Sequence, residues 1–340
     1  MNNPHTYFIA SLILLVMLLS GCVLHEEPHL TEDGEIGIDP TDVALTVKIN
    51  LDINLPGTRE NVSPASGHIH RFIIEAIDAA DRSVVRRSVL YESNLSATNF
   101  SQHISMRLHA RKYYIVIWSD YVSEKDILSD LFYDTTTLYP VKYKGEYTAC
   151  NNAKDTFTGN AEIDLRQYSD TKGASVDVSI DLFRPVGRYQ LIATDVQSFQ
   201  RRLADGSMQS TQFKARVRYA DFIALGYNCI DGIRKELTAE IEYCTTLPDL
   251  SDYQGFELEL AFDYCLCANS EIIPTAAFVE ILNQANEVLA RDYIIIPVQQ
   301  GMNAIIRGRF LTAAIDGGMT IDSSFDGEIN IDLGTLTPES

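Results

Sequence analysis

The strongest pattern in the chain is the run from Val43 to Leu55, where every odd position is apolar. Val43, Leu45, Val47, Ile49, Leu51, Ile53 and Leu55 alternate with Ala44, Thr46, Lys48, Asn50, Asp52 and Asn54, all small or polar. A period of two puts each set on its own face of an extended strand, and no 3.6-residue pattern competes. Pro56-Gly57-Thr58-Arg59-Glu60-Asn61 interrupts the alternation and predicts an exposed loop.

Shorter segments follow in the same style. Residues 69–78 and 83–91 flank Ala79-Ala80-Asp81-Arg82 as a hairpin. Phe100, Ile104, Met106 and Leu108 alternate with His103, Ser105 and Arg107. Residues 113–118 are apolar on both faces, as in a strand covered on two sides. Residues 120–134 relax into a long connection with a helical turn at 124–131, and strands are predicted again at 137–144, 161–166 and 175–182. Phe183-Arg184-Pro185-Val186-Gly187-Arg188 then breaks the pattern and separates a unit at 41–183 from one at 184–340.

The second unit opens with a strand at 189–196 and a short helix at 196–203. Alternation then predicts strands at 213–219, 237–243 and 256–264, the last with Glu257, Glu259 and Asp263 outward. Phe278, Ile281, Leu282, Ala285 and Leu289 fit a helix, or a hairpin turning at 283–286; the surrounding strands favour the hairpin. Residues 294–298, 304–312 and 327–333 complete the strands. Short alternating strands separated by turns describe an all-β protein of two tandem β-sandwiches.

The 340 residues are 46% hydrophobic and 22% charged, the balance of a globular protein. A formal net charge of −20 opposes binding to nucleic acid or to an anionic lipid surface. Ahead of the first strand, residues 8–19 form an apolar run too short to cross a bilayer and followed by small residues, which reads as a signal peptide. Leu19-Ser20-Gly21-Cys22 resembles a bacterial lipobox, although residues 1–7 contain no Lys or Arg. That resemblance makes residues 1–21 a lipoprotein signal peptide and Cys22 the lipidated residue, the sole membrane attachment. Residues 22–40 become an acidic tether containing Pro28, Gly34 and Gly37. His25, Glu26 and Glu27 resemble the acidic patch that sends some lipoproteins to the outer face of the outer membrane, and equally suit a plain charged linker.

Beyond Cys22 the cysteines are Cys150, Cys229, Cys244, Cys265 and Cys267, an odd number, so at least one thiol lacks a partner within the chain. Cys265 and Cys267 share a strand face, a poor geometry for bridging each other. Free or partly buried thiols are expected, with a Cys229–Cys244 bridge as the alternative. No nucleophile elbow, zinc-protease motif or phosphate-cradling glycine loop is present, so neither an enzyme nor a cofactor is expected. His68 and His70, with His103 or His109, have the residue types of a metal site but read as polar residues at strand starts. Asp39 with Asp42, and Asp249 with Asp252, read as solvated acidic turns rather than calcium loops.

Three stretches carry a family resemblance. Residues 184–195, Arg-Pro-Val-Gly-Arg-Tyr-Gln-Leu-Ile-Ala-Thr-Asp, resemble the domain junction of fimbrillin-like lipoproteins of Bacteroidota. Ile296-Pro297-Val298-Gln299-Gln300 with Arg307-Gly308-Arg309-Phe310-Leu311-Thr312 resembles their penultimate strands, and Ser324-Phe325-Asp326-Gly327-Glu328-Ile329-Asn330 their C-terminal strand. The resemblance implies transthyretin-like sandwiches and assembly into type V pili by strand exchange with other fimbrial subunits at the outer membrane. It further implies that stalk subunits are cut after a basic residue, here Arg59, and lose their first strand. Anchor or accessory subunits stay uncut and keep the lipid, the role expected here. Ile329, Ile331 and Leu333 would belong to the donated strand. The rival is a glycan-binding or otherwise adhesive surface lipoprotein. Sugar platforms need exposed aromatics; the single tryptophan, Trp118, lies in an apolar run, but 17 tyrosines keep that reading open.

Overall fold

The computed structural model describes residues 42–52, 67–92, 99–126, 130–171, 173–206, 212–268, 270–314 and 329–332. The chain is all-β with sandwich architecture. The first sandwich has a three-stranded sheet of β1 (Asp42–Asp52), β4 (Asn99–His109) and β9 (Ser175–Leu182), in the order β4-β1-β9. Facing it are β2 (Ile69–Asp78), β3 (Val84–Glu92), β5 (Lys112–Val122) and β8 (Phe157–Asp164), in the order β3-β2-β5-β8. Alternation delivers one face of each sheet to the core: Leu45, Val47 and Ile49 meet Phe72, Ile74, Ile115 and Ile117. The other face of β2 and β5, with Ile73, Val116 and Trp118, packs elsewhere, which is why residues 113–118 are apolar on both sides.

The second sandwich pairs β10 (Val186–Ala193), β15 (Leu258–Leu266), β18 (Asn303–Gly308) and β19 (Ile329–Asp332), in the order β15-β10-β18-β19. Against them lie β11 (Lys214–Tyr219), β14 (Glu242–Thr246), β16 (Ile273–Leu282) and β17 (Val288–Val298), in the order β14-β11-β16-β17. The helix α1 (Val196–Ala204) buries Val196 and Phe199, and Phe199 meets Phe213 edge-on at 5.0 Å. Asp195, just before α1, accepts from the Leu311 and Thr312 backbone N–H groups at 3.2 and 2.8 Å, fixing the helix start to the exit of β18. Gly187 lets β10 pass close to the β17–β18 turn: a Cβ there would lie 2.4 Å from the Gln299 carbonyl oxygen.

A third sheet spans the break between the units. It joins β6 (Tyr133–Asp134) and β7 (Val141–Tyr143) to β12 (Ile223–Asn228) and β13 (Ile233–Thr238), in the order β13-β12-β7-β6. Beneath it a separate core combines Ile73, Val116 and Trp118 with Val186, Tyr227 and Tyr264.

Several expected elements take a different form. The strand expected at 137–144 shrinks to β7, because Pro140 offers no ladder N–H and the Leu138 carbonyl instead accepts from Cys229 N at 3.0 Å. The run at 237–243 splits at Glu240, whose φ of 61° ends the pleat; β13 and β14 on either side belong to different sheets. Residues 123–125 are bends, and no helix lies among the described residues of 124–131. All five described cysteines are free thiols, so the Cys229–Cys244 alternative is absent: Cys229 is buried and Cys244 exposed. Asp263, expected outward, is fully buried. The cause is a bulge: Leu191 pairs with Ala261 but Ile192 with Glu259, leaving Leu260 as an extra residue. One extra residue exchanges the faces of everything beyond it. Asp263 and Cys265 thereby turn inward, while Phe262, Tyr264 and Leu266 face the third core.

Candidate functional site

The candidate assembly site is the slot that β1 fills. β1 runs antiparallel to β4, from Asp42↔His109 to Asp52↔Asn99, and parallel to β9, from Ala44↔Ser175 to Leu51↔Leu182. It forms no hairpin with β2, its neighbour in sequence, which belongs to the facing sheet. Backbone ladders on both edges and a buried apolar face therefore hold it. Val43, Leu45, Val47 and Ile49 are fully buried and Leu51 nearly so. At ~1.5–3 kcal/mol for each such side chain, the strand contributes on the order of 10 kcal/mol to its sandwich, an upper figure because unfolded chains are partly compact.

The outer face of the same sheet is mostly polar among the described residues. Asn50 Nδ2 donates to Ser179 Oγ and to Asp181 Oδ1, both at 2.9 Å, and Ser101 Oγ donates to Asn50 Oδ1 at 3.2 Å. Thr46, Lys48, His103, Asp177, Val178 and Ser179 line a shallow groove of about 510 Å³. The C-terminal strand β19 pairs parallel with β18 in register Ala304↔Ile329 to Arg307↔Asp332, at the edge of its sheet. Ile329 and Ile331 thus sit in a strand seated on their own chain. Cys22, Arg59 and Leu333 lie outside the described residues.

Buried ionic groups form a second set, one within the first half and two where the halves meet. Arg71 donates through Nε and Nη2 to Asp120 at 2.9 and 2.7 Å, and through Nη2 to Asp130 at 2.8 Å. Arg184 grips Asp155 through Nε at 2.9 Å, with its guanidinium over the Phe157 ring. Lys154 Nζ donates to Asp263 Oδ1 and to the Thr148 carbonyl. Tyr147, Tyr219, Tyr189 and Tyr243 extend that network, and burial raises all four hydroxyls well above the ordinary tyrosine range. From the sequence, Arg184 enters only through the junction motif and Asp263 only as an outward residue, and the other partners carry no signal; the available one was Asp263 between Phe262 and Tyr264 in an otherwise apolar strand.

The histidines do not converge. His70 is buried on β2, shares a 2.6 Å hydrogen bond with Ser119 Oγ and stacks on Tyr121 at 4.7 Å. Burial, and then the Arg184 charge, lower its imidazole to about 3. His103 and His109 belong to β4, in the opposite sheet. No group of three or more His, Cys, Asp or Glu among the described residues is placed to hold a metal. Asp249 caps its own turn, accepting from Ser251 N and Oγ at 3.0 and 2.6 Å. Burial pushes the Cys229 and Cys267 thiols up to about 12. No helix among the described residues is long and apolar enough to cross a membrane.

Residues 36–337 match the model of a family of unknown function, DUF6562. No curated protein matches the chain. Similar solved structures include the fimbrial anchor protein Mfa2 of Porphyromonas gingivalis, 13% identical, covering 73% of this chain and 81% of that one at a TM-score of 0.41. A candidate cell adhesion protein of Bacteroides eggerthii is 11% identical, covering 86% and 94% at 0.42. A candidate polysaccharide binding protein of Bacteroides thetaiotaomicron is 12% identical, covering 74% and 80% at 0.42. The chain belongs to the DUF6562 family.

Proposed function

We propose that this family member is a surface-tethered structural lipoprotein, held in the outer membrane through lipidated Cys22 and joined to other fimbrial subunits by exchange of β-strands. One observation carries the reading: β1 is a central strand held by ladders on both edges, a buried apolar face and the side-chain hydrogen bonds of Asn50, between partners that are not its sequence neighbours. Withdrawing such a strand opens a trough with unpaired backbone groups on both sides. Any donor with the same alternation satisfies both at once, its backbone supplying affinity and its alternate side chains the register. The parallel pairing of β1 with β9 adds a direction, so a donor must run as β1 does. An anchor-type or accessory subunit would keep β1 in this slot.

The test is deletion of residues 324–340 in the producing bacterium, with N-terminal analysis of the surface form. The truncated protein is expected to reach the surface but not to enter SDS-resistant polymers, and the intact one to carry a blocked, lipidated Cys22. Polymer assembly at the intact level by the truncated chain overturns strand donation. A terminus at Glu60 instead assigns a stalk or tip role, through cleavage after Arg59.

The adhesive alternative is favoured by the polar groove over Thr46, Lys48, His103, Asp177 and Ser179. Against a sugar platform, the groove lining includes no Trp, Tyr or Phe, and Trp118 is fully buried. A glycan array probed with the protein separates the readings: specific binding lost on Lys48→Ala, with assembly intact, supports adhesion.

A further inference from the structure

The Lys154–Asp263 pair has surroundings that exceed what a salt bridge needs. Both side chains are buried, 1% and 0% exposed. Lys154 Nζ donates to Asp263 Oδ1 and, at 2.8 Å, to the Thr148 carbonyl, and lies 4.2 Å from the centre of the Tyr147 ring. Asp263 Oδ1 also accepts from the Tyr264 backbone N–H at 2.8 Å. Its Oδ2 accepts from the Tyr147 and Tyr219 hydroxyls at 2.5 and 2.8 Å. The carboxyl group is thus held by donors on both oxygens, with an amine directed at it inside a cage of aromatic rings.

We propose that Lys154 and Asp263 join in an intramolecular isopeptide bond, formed by the chain itself as its two halves close. One proton passes from the ammonium group to Asp263 Oδ1, leaving a neutral amine beside a neutral acid. The Nζ lone pair then attacks Cγ. Negative charge gathers on Oδ2, where the Tyr147 and Tyr219 hydroxyls already point, as donors do in an oxyanion hole. A second proton moves from Nζ to Oδ1, the Cγ–Oδ1 bond breaks, and Oδ1 departs as water. The amide keeps the third hydrogen of the ammonium group, and no oxidant, metal or cofactor enters the balance. Both tyrosines stay protonated because burial raises their hydroxyls well above the ordinary range. Holding amine and acid in register substitutes for an external activating agent, since oriented neighbours reach effective molarities of ~10⁵–10⁸ M.

The bond fastens the 3-10 turn Asn152–Lys154, from the first half of the chain, to β15 in the second, across 109 positions of sequence. Such a bond would serve a fimbrial subunit and an adhesin alike.

Trypsin digestion of the full-length protein followed by mass spectrometry tests it. The bond predicts a branched product, residues 145–166 joined to 236–291, lighter than the two peptides together by one water and uncut after Lys154. Lys154→Arg, which keeps the cation, abolishes that product and slows the denatured chain on a reducing gel. Should that variant fail to fold, the digest of the unaltered protein still decides. Separate peptides 145–154 and 236–291 in that digest overturn the proposal.

Discussion

On its inward face β1 is held by apolar side chains alone, whereas under the first sandwich and at the meeting of the two halves the chain is held by Arg71 and Arg184 paired with buried carboxylates. Both regions bind segments well separated in sequence, and both are buried. They differ in how much they specify. Apolar packing asks for volume and a period of two, which many strands supply. A buried charge needs its partner in place, and losing that partner leaves a charge that nothing else compensates. A slot meant to accept a substitute strand suits the first kind of bonding; a junction meant to keep one geometry suits the second.

The sharpest way to widen that contrast is Asp120→Ala. It strips the buried Arg71 of its Nε partner and of one Nη2 partner, and is expected to cost about 3–5 kcal/mol. Urea unfolding followed by tyrosine and tryptophan fluorescence measures it; a loss below about 1 kcal/mol would mean that the buried ionic cluster relaxes as easily as an apolar core.

A pH series probes the same junction more gently. The unfolded His70 imidazole takes up a proton near 6.5, the folded one only near about 3. Between those values the unfolded state binds more protons, so stability must fall as pH drops through the window, by up to about 1.4 kcal/mol per unit. The groups facing His70 are Ser119, Tyr121, Phe72 and Phe157, with Arg184 and its partner Asp155 behind them. His70→Gln should flatten that slope, and subtracting the two profiles removes the titration of carboxylates common to both. Parallel profiles would show that His70 is protonated in the fold.

The smallest effect belongs to the slot. Ile49→Val removes one methylene from the middle of β1 and should cost only about 0.5–1.5 kcal/mol. If its unfolding midpoint moves as far as that of Asp120→Ala, the slot is as exacting as the junction and the contrast fails.

The slot was legible in the sequence because β1 is long, alternates without a break and has one wet face. The hairpin of β16 and β17 was legible too, since Asn283 and Asn286 suit a turn and Asn286 takes a φ of 62°. What escaped was built from short or irregular pieces. β6 and β7 have two and three residues, too few to show a period. Residues 237–243 keep their alternation through Glu240 although the chain changes sheet there. The ionic junction escaped for a further reason: the bulge at Leu260 is invisible to any pattern that assumes unbroken pleating, and it alone decides that Asp263 faces inward.

The third sheet bears on how such a chain can change over generations. Tandem sandwiches invite recombination between genes at the linker, each half travelling as a module. Here a crossover at 183–188 would separate β6 and β7 from β12 and β13, and would split a core in which Trp118 and Tyr227 stand 6.4 Å apart. Hybrids that swap one half must therefore inherit both sides of that contact, so the heritable unit is the pair of sandwiches together.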